Sequence, residues 1–189
     1  QGCRGVAAGV KKYKSKTFVP DPVMVATSGD RVLVEDAVTA LRRELIPMAL
    51  VVTPNLHEAA ALTATSLARN EQEMEAQARE ILTLGPRYVL IKGGHSTGHE
   101  SVDLLIGEGA TVRLSAPRID TNNTHGTGCT LSSAIAAGLA TGYDLAAAHQ
   151  AAQAYVPAPI PAAHGLPLRP RHCPPPPFQT QTLPATPTP

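Results

Sequence analysis

From about Thr17 to Val156, short continuous apolar runs alternate with stretches in which apolar residues recur at helical spacing. Residues 6–16 read as the end of a helix with Val6, Val10 and Tyr13 on one face, and Thr17 to Asp21 as a short buried strand. Residues 36–46 predict a helix whose apolar stripe is Val38, Leu41, Leu45 and Ile46. Ala49 to Thr53 is an apolar run of strand length that Pro54 and Asn55 stop. Residues 71–84 predict a helix with Met74, Ala78, Ile81 and Leu82 inward, ended by the breaker pair Gly85 and Pro86. Tyr88 to Ile91 is the next buried strand. The runs 101–106 and 111–114, either side of Gly107, Glu108 and Gly109, suit a hairpin. Thr127 to Leu139 and Asp144 to Tyr155 are two further helices, the first built from small residues. Strands spaced by helices imply βαβ units and a mostly parallel sheet covered on both faces, hence an α/β fold.

After Val156 the pattern stops. Of the 18 prolines, 12 fall in residues 157–189. Proline removes a backbone donor and restricts its neighbour, so this stretch predicts a disordered or polyproline-like tail after a domain spanning 1–156. A polyproline ligand for a partner domain is a second reading of it.

Composition narrows the function classes. Hydrophobic residues make up 43% of the 189, enough for one sizeable core, and aromatic content is only 3%, so Ala, Val, Leu and Ile must fill it. A net charge of +1 gives no sign of a nucleic-acid or anionic-membrane partner. No apolar run approaches the ~20 residues a membrane span needs. Cys3, Cys129 and Cys173 are scattered, without zinc or disulfide spacing, which fits a reducing, cytoplasmic setting. The chain opens on Gln1, as expected of a segment from within a longer protein.

Chemistry concentrates in residues 120–129, where Asn123, Thr124, His125, Gly126, Thr127, Gly128 and Cys129 lead into a helix. The two glycines let backbone approach a ligand closely. The first amide N–H groups of the helix point outward, and its dipole adds partial positive charge there. Together these make an anion site suited to phosphate, or to charge developing in phosphoryl transfer. A tight turn whose glycines serve packing alone is the plain alternative. Cys129 falls in the first helical turn, where its thiolate is favoured and could act as a base. A buried inert thiol, or a cysteine nucleophile partnered by His125, are the other readings. Asp21, Asn55 and Lys92 each follow a predicted strand, so they gather at the carboxyl ends where open α/β sheets bind ligands. Each taken singly could instead be a loop cap or a surface charge.

Four motifs occur in order: Asp21-Pro-Val-Met-Val-Ala-Thr-Ser-Gly29, Thr53-Pro-Asn-Leu-His-Glu-Ala59, Lys92-Gly-Gly-His95 and Asn123-Thr-His-Gly-Thr-Gly-Cys-Thr130. Over roughly residues 6–156 they resemble the hydroxymethylpyrimidine/phosphomethylpyrimidine kinases of thiamine biosynthesis. The resemblance implies a ribokinase-like three-layer αβα sandwich, truncated at its start, with ATP and Mg²⁺ as cofactors and a small-molecule substrate. It also admits a homodimer. By the same resemblance Gly126, Thr127 and Gly128 would form the anion hole, and Cys129 would be the base toward the substrate hydroxymethyl. Asn55, Lys92, Asn123 and Thr124 would serve the nucleotide, and Asp21 and Glu58 the metal. His57 and His95 are expected to be structural or at the rim. The Gly-Thr-Gly-Cys turn is also found in some pyridoxal kinases, so that activity and a non-catalytic nucleotide-binding fragment remain as alternatives. Ala64 stands where relatives usually have glycine, and Asn122 where many have lysine.

Overall fold

The computed structural model describes residues 2–24, 35–93, 100–117 and 127–156. They belong to two compact units, Gln1–Arg118 and Ile119–Pro189. The proline-rich stretch 157–189 lies outside the described residues.

In the first unit, α1 (Gly2–Tyr13) leads to α2 (Glu35–Ala40), whose helix continues as a π turn over Leu41–Leu45 and a 3-10 turn over Ile46–Met48. Then follow β1 (Val51–Val52), α3 (Leu56–Thr63), α4 (Glu71–Leu82), β2 (Tyr88–Lys92), β3 (Glu100–Gly107) and β4 (Ala110–Pro117). The sheet order is β1-β2-β3-β4. β1 and β2 are parallel, and β3 and β4 extend the sheet antiparallel. The hairpin expected around Gly107 is present. Its two-residue turn needs left-handed backbone at both positions, and Glu108 (φ 50°) and Gly109 (φ 79°) supply it.

The predicted strand at Thr17 to Asp21 is not a regular strand. Its carbonyls do accept the amides that flank β1, Leu50 N–H on Phe18 O at 2.9 Å and Thr53 N–H on Pro20 O at 3.3 Å. Pro20 has no N–H to return, so the ladder ends there. β1 itself is shorter than the run that predicts it, because Pro54 interrupts its far end. A second correction concerns 36–46. The predicted stripe is right, with Leu41, Leu45 and Ile46 buried, but the helix widens after Ala40, so that Ile46 N–H bonds back to Leu41 O. A third concerns α1. Val6 and Tyr13 are exposed, and the inward face runs through Cys3, Ala7 and Val10, at i, i+4 and i+7 spacing.

The core of this unit joins Val52, Val89, Ile91, Leu104 and Ile106 of the sheet to Met74, Ala78 and Ile81 of α4, which packs across β2 and β3. Leu90, on the other face of β2, is equally buried, as expected of a strand covered on both sides. The second unit pairs α5 (Thr127–Ala140) with α6 (Leu145–Tyr155), the latter capped by Asp144 accepting the Ala147 N–H. The two helices meet where Gly138 faces Ala148. A Cβ there would lie 3.0 Å from the Ala148 methyl, so the small-residue character of α5 is what permits the close approach.

Candidate active site

Thr53, Pro54 and Asn55 turn the chain from β1 into α3. Asn55 caps that helix: its side-chain oxygen accepts the Glu58 N–H at 2.9 Å, and the Glu58 carboxylate accepts the Asn55 N–H at 2.8 Å. This reciprocal capping satisfies two amides that the helix start leaves without intrahelical partners. β2 reaches the same point, because Lys92 N–H donates to Pro54 O at 2.9 Å and Lys92 pairs with Asn55 as a parallel bridge. The ends of two parallel strands and the start of one helix therefore meet here.

Four of the residues expected from sequence come together at this junction: Asp21, Asn55, Glu58 and Lys92. Lys92 Nζ lies 2.8 Å from Asp21 Oδ1, with the two side chains only 12% and 13% exposed. Thr53, fully buried, donates its hydroxyl toward Asp21 Oδ1 at 3.3 Å and Pro20 O at 3.4 Å. Glu58 is itself buried, and burial pushes its carboxyl up to about 7. The Asn55 N–H, Lys92 and the Met24 backbone amide pull it down, whereas the Asp21 carboxylate adds to the rise. His57, in the same helical turn, is exposed at the rim.

Two neighbours were not singled out from the sequence. Asp103 on β3 is buried and accepts the Gly93 N–H at 3.0 Å. Thr53 donates its hydroxyl to Asp21. Both sit inside runs that read as plain strand, and only an isolated polar residue in an apolar run marks them.

In the second unit α5 begins at Thr127, where the glycine turn predicts a helix start. Thr127 and Gly128 are half-buried and Cys129 is exposed, which removes the reading of a buried inert thiol. The Gly128 and Cys129 carbonyls accept the hydroxyls of Ser132 (3.0 Å) and Ser133 (2.8 Å). Gly126, Asn123, Thr124 and His95 lie outside the described residues.

The chemistry available in the first unit is that of a cation-and-anion junction. Lys92 and the Thr53 hydroxyl both reach the Asp21 carboxylate at the strand ends, and the Glu58 carboxyl feels the charges of Lys92 and Asp21. Among the described residues no group of three or more His, Cys, Asp or Glu side chains is arranged to hold a metal by itself. Two carboxylates fit a hard divalent cation that takes its remaining oxygens from phosphate and water. Among the described residues, no helix is long and apolar enough to cross a membrane.

The α/β fold is that of the ribokinase-like vitamin kinases, as solved structures show. The chain superposes on an ADP complex of Bacillus subtilis pyridoxal kinase with TM-score 0.77 and 37% identity, covering 84% of this chain and 60% of that one. It also superposes on phosphomethylpyrimidine kinase from Clostridium difficile 630, with TM-score 0.69 and 37% identity over 82% of this chain and 62% of that one. In sequence it is 55% identical, over 161 residues, to the hydroxymethylpyrimidine/phosphomethylpyrimidine kinase of Rhizobium meliloti (strain 1021), covering 85% of this chain and 60% of that protein. The family model described as phosphomethylpyrimidine kinase matches residues 2–174. The chain belongs to the phosphomethylpyrimidine kinase family. It spans 50–60% of the length of the hydroxymethylpyrimidine/phosphomethylpyrimidine kinases of Rhizobium, Salmonella and Escherichia that it matches.

Proposed function

We propose that this chain supplies the nucleotide-binding part of an ATP-dependent kinase that phosphorylates hydroxymethylpyrimidine and then its monophosphate in thiamine biosynthesis. The observation that carries the reading is the nearly buried Lys92–Asp21 pair beside the Glu58 carboxyl, at the meeting of β1, β2 and α3. Such a junction suits the charges of a nucleotide polyphosphate and its cation.

In this reading Lys92 and Asn55, with Asn123 and Thr124, hold the phosphates of ATP, and Asp21 and Glu58 hold Mg²⁺. Bound there, Mg²⁺ supplies neutralisation of the phosphate charge. Gly126, Thr127 and Gly128 present backbone N–H groups to the transferred γ-phosphoryl. The Cys129 Sγ, as thiolate, takes the proton of the substrate hydroxymethyl. The freed oxygen bonds to the γ-phosphorus, and the bond to the β-γ bridging oxygen breaks to release ADP. Catalysis is then mostly positioning and charge stabilisation.

The test is ADP release with hydroxymethylpyrimidine and with pyridoxal as competing acceptors. Turnover of the pyrimidine supports the proposal. Exclusive turnover of pyridoxal would instead favour a pyridoxal kinase, the reading that the superposition on the Bacillus enzyme supports. Nucleotide binding without turnover of either alcohol would mark a non-catalytic binding fragment. A homodimer and a cytoplasmic setting go with the kinase reading, and sedimentation and fractionation check them.

A further inference from the structure

β3 carries one carboxylate in an otherwise apolar inner stretch. Asp103 is 4% exposed, and it precedes buried Leu104, Leu105 and Ile106. A buried carboxylate costs stability unless hydrogen bonds compensate it. An aliphatic residue there would pack without that cost. In the sheet register Asp103 stands directly opposite Lys92, the last residue of β2. The Lys92 ammonium is paired with Asp21, whereas the Asp103 carboxylate takes the N–H of the next residue, Gly93, at 3.0 Å.

Gly93 shows how tightly this point is set. A Cβ on it would lie 2.0 Å from the Val102 carbonyl oxygen, so the backbones of β2 and β3 come into direct contact immediately after Lys92. An N–H buried at such an approach needs an acceptor, and Asp103 provides one. The carboxylate thus fixes where β2 ends, and with it the point from which the Lys92 side chain reaches toward Asp21.

We propose that Asp103 is a positioning residue for Lys92: its hydrogen bond to the Gly93 amide holds the Lys92 ammonium against Asp21, in place for an anionic phosphate ligand. The phosphate part rests on the kinase reading above; the positioning part does not. Asp103 acts through the backbone, at the Gly93 N–H.

The experiment measures site-resolved acetylation of Lys92 by mass spectrometry, with exposed Lys11 and Lys12 as internal standards. It compares the wild-type chain with Asp103→Ala, Asp103→Ser and Asp103→Asn. Circular dichroism confirms folding, and Asp103→Ser serves if the alanine variant does not fold. Asparagine keeps an acceptor for the Gly93 N–H; alanine and serine do not reach it. The expected result is a rise in Lys92 labelling on the order of tenfold for alanine or serine, and a change within about twofold for asparagine. Unchanged labelling in folded alanine or serine variants overturns the proposal, as does an asparagine variant as reactive as alanine. ATP·Mg²⁺ affinity is measured in parallel for Asp103→Ala, Lys92→Ala and the double variant. The double variant is expected to bind no more weakly than Lys92→Ala alone, whereas additive losses would mean that Asp103 does not act through Lys92. If Lys92→Ala binds nucleotide as tightly as wild type, the phosphate reading of Lys92 fails, while the labelling still decides the positioning role.

Discussion

Replacing Glu58 with glutamine isolates the most unusual group of the site. The amide oxygen of the new side chain would keep the acceptor for the Asn55 N–H, so the helix cap survives. What disappears is the titration. In the folded chain the carboxyl is raised from 4.5 to about 7, chiefly because it is buried. The folded state therefore holds a proton that the unfolded state has already lost over this range. The stability tied to that proton is fully present below pH 4.5, declines as pH rises, and is gone above about 7. The size of the shift corresponds to about 3 kcal/mol lost across the window. Urea unfolding midpoints for wild type and Glu58→Gln between pH 4.5 and 8 measure it as a difference, which cancels the other titrating groups. The gap should move in favour of the variant by about 3 kcal/mol as pH rises. A gap that stays flat, or moves toward wild type, would show that Lys92 and the Asn55 amide outweigh burial. If Mg²⁺ and nucleotide bind beside Glu58, their presence should flatten the wild-type slope.

Three further outcomes follow from single positions. Ala64 closes α3 in left-handed backbone (φ 55°, ψ 34°), so Ala64→Gly should stabilise the fold by up to about 1 kcal/mol in thermal unfolding, because strain is relieved at some entropic cost. Gly93→Ala should destabilise by about 3 kcal/mol or more by the same measurement, since the Val102 carbonyl blocks the new methyl. Cys129→Ser should lower kcat for the alcohol by about 10²-fold or more with little change in nucleotide affinity, if Sγ takes the hydroxyl proton; an equal loss in both would place the thiol in binding instead.

How far the sequence reads ahead depends on whether local pattern or tertiary context decides. The α4 helix and the β3–β4 hairpin are legible because periodicity and turn residues agree with the fold. Ala64 is legible too, as a non-glycine where glycine is usual, and its left-handed backbone supplies the reason. The segment 17–21 misleads because Pro20 looks at home in a strand of the right length but cannot complete a ladder. The helix read over residues 6–16 is α1 over Gly2–Tyr13, and its packed face includes Cys3, which that span leaves out, and Ala7, a small residue that Val6 and Tyr13 outweigh in hydrophobicity. Of the site, Asp21, Asn55 and Lys92 are visible from their placement after strands, and Glu58 from the family resemblance alone. The mutual capping of Asn55 and Glu58 is written in the Asn-x-x-Glu spacing, yet spacing cannot reveal that Glu58 is buried. Asp103 stays hidden, because its meaning lies in Gly93, 10 residues away on the neighbouring strand.

In the kinase reading the junction of β1, β2 and α3 grips a nucleotide polyphosphate through Lys92. Calorimetric titration of the 189-residue chain with ATP·Mg²⁺, repeated on Lys92→Ala, tests it most directly. Measurable binding to the wild-type chain is expected, with a loss of about tenfold or more in the variant, the worth of a charge-assisted hydrogen bond. Equal affinity in the two proteins, with the variant folded, would contradict it.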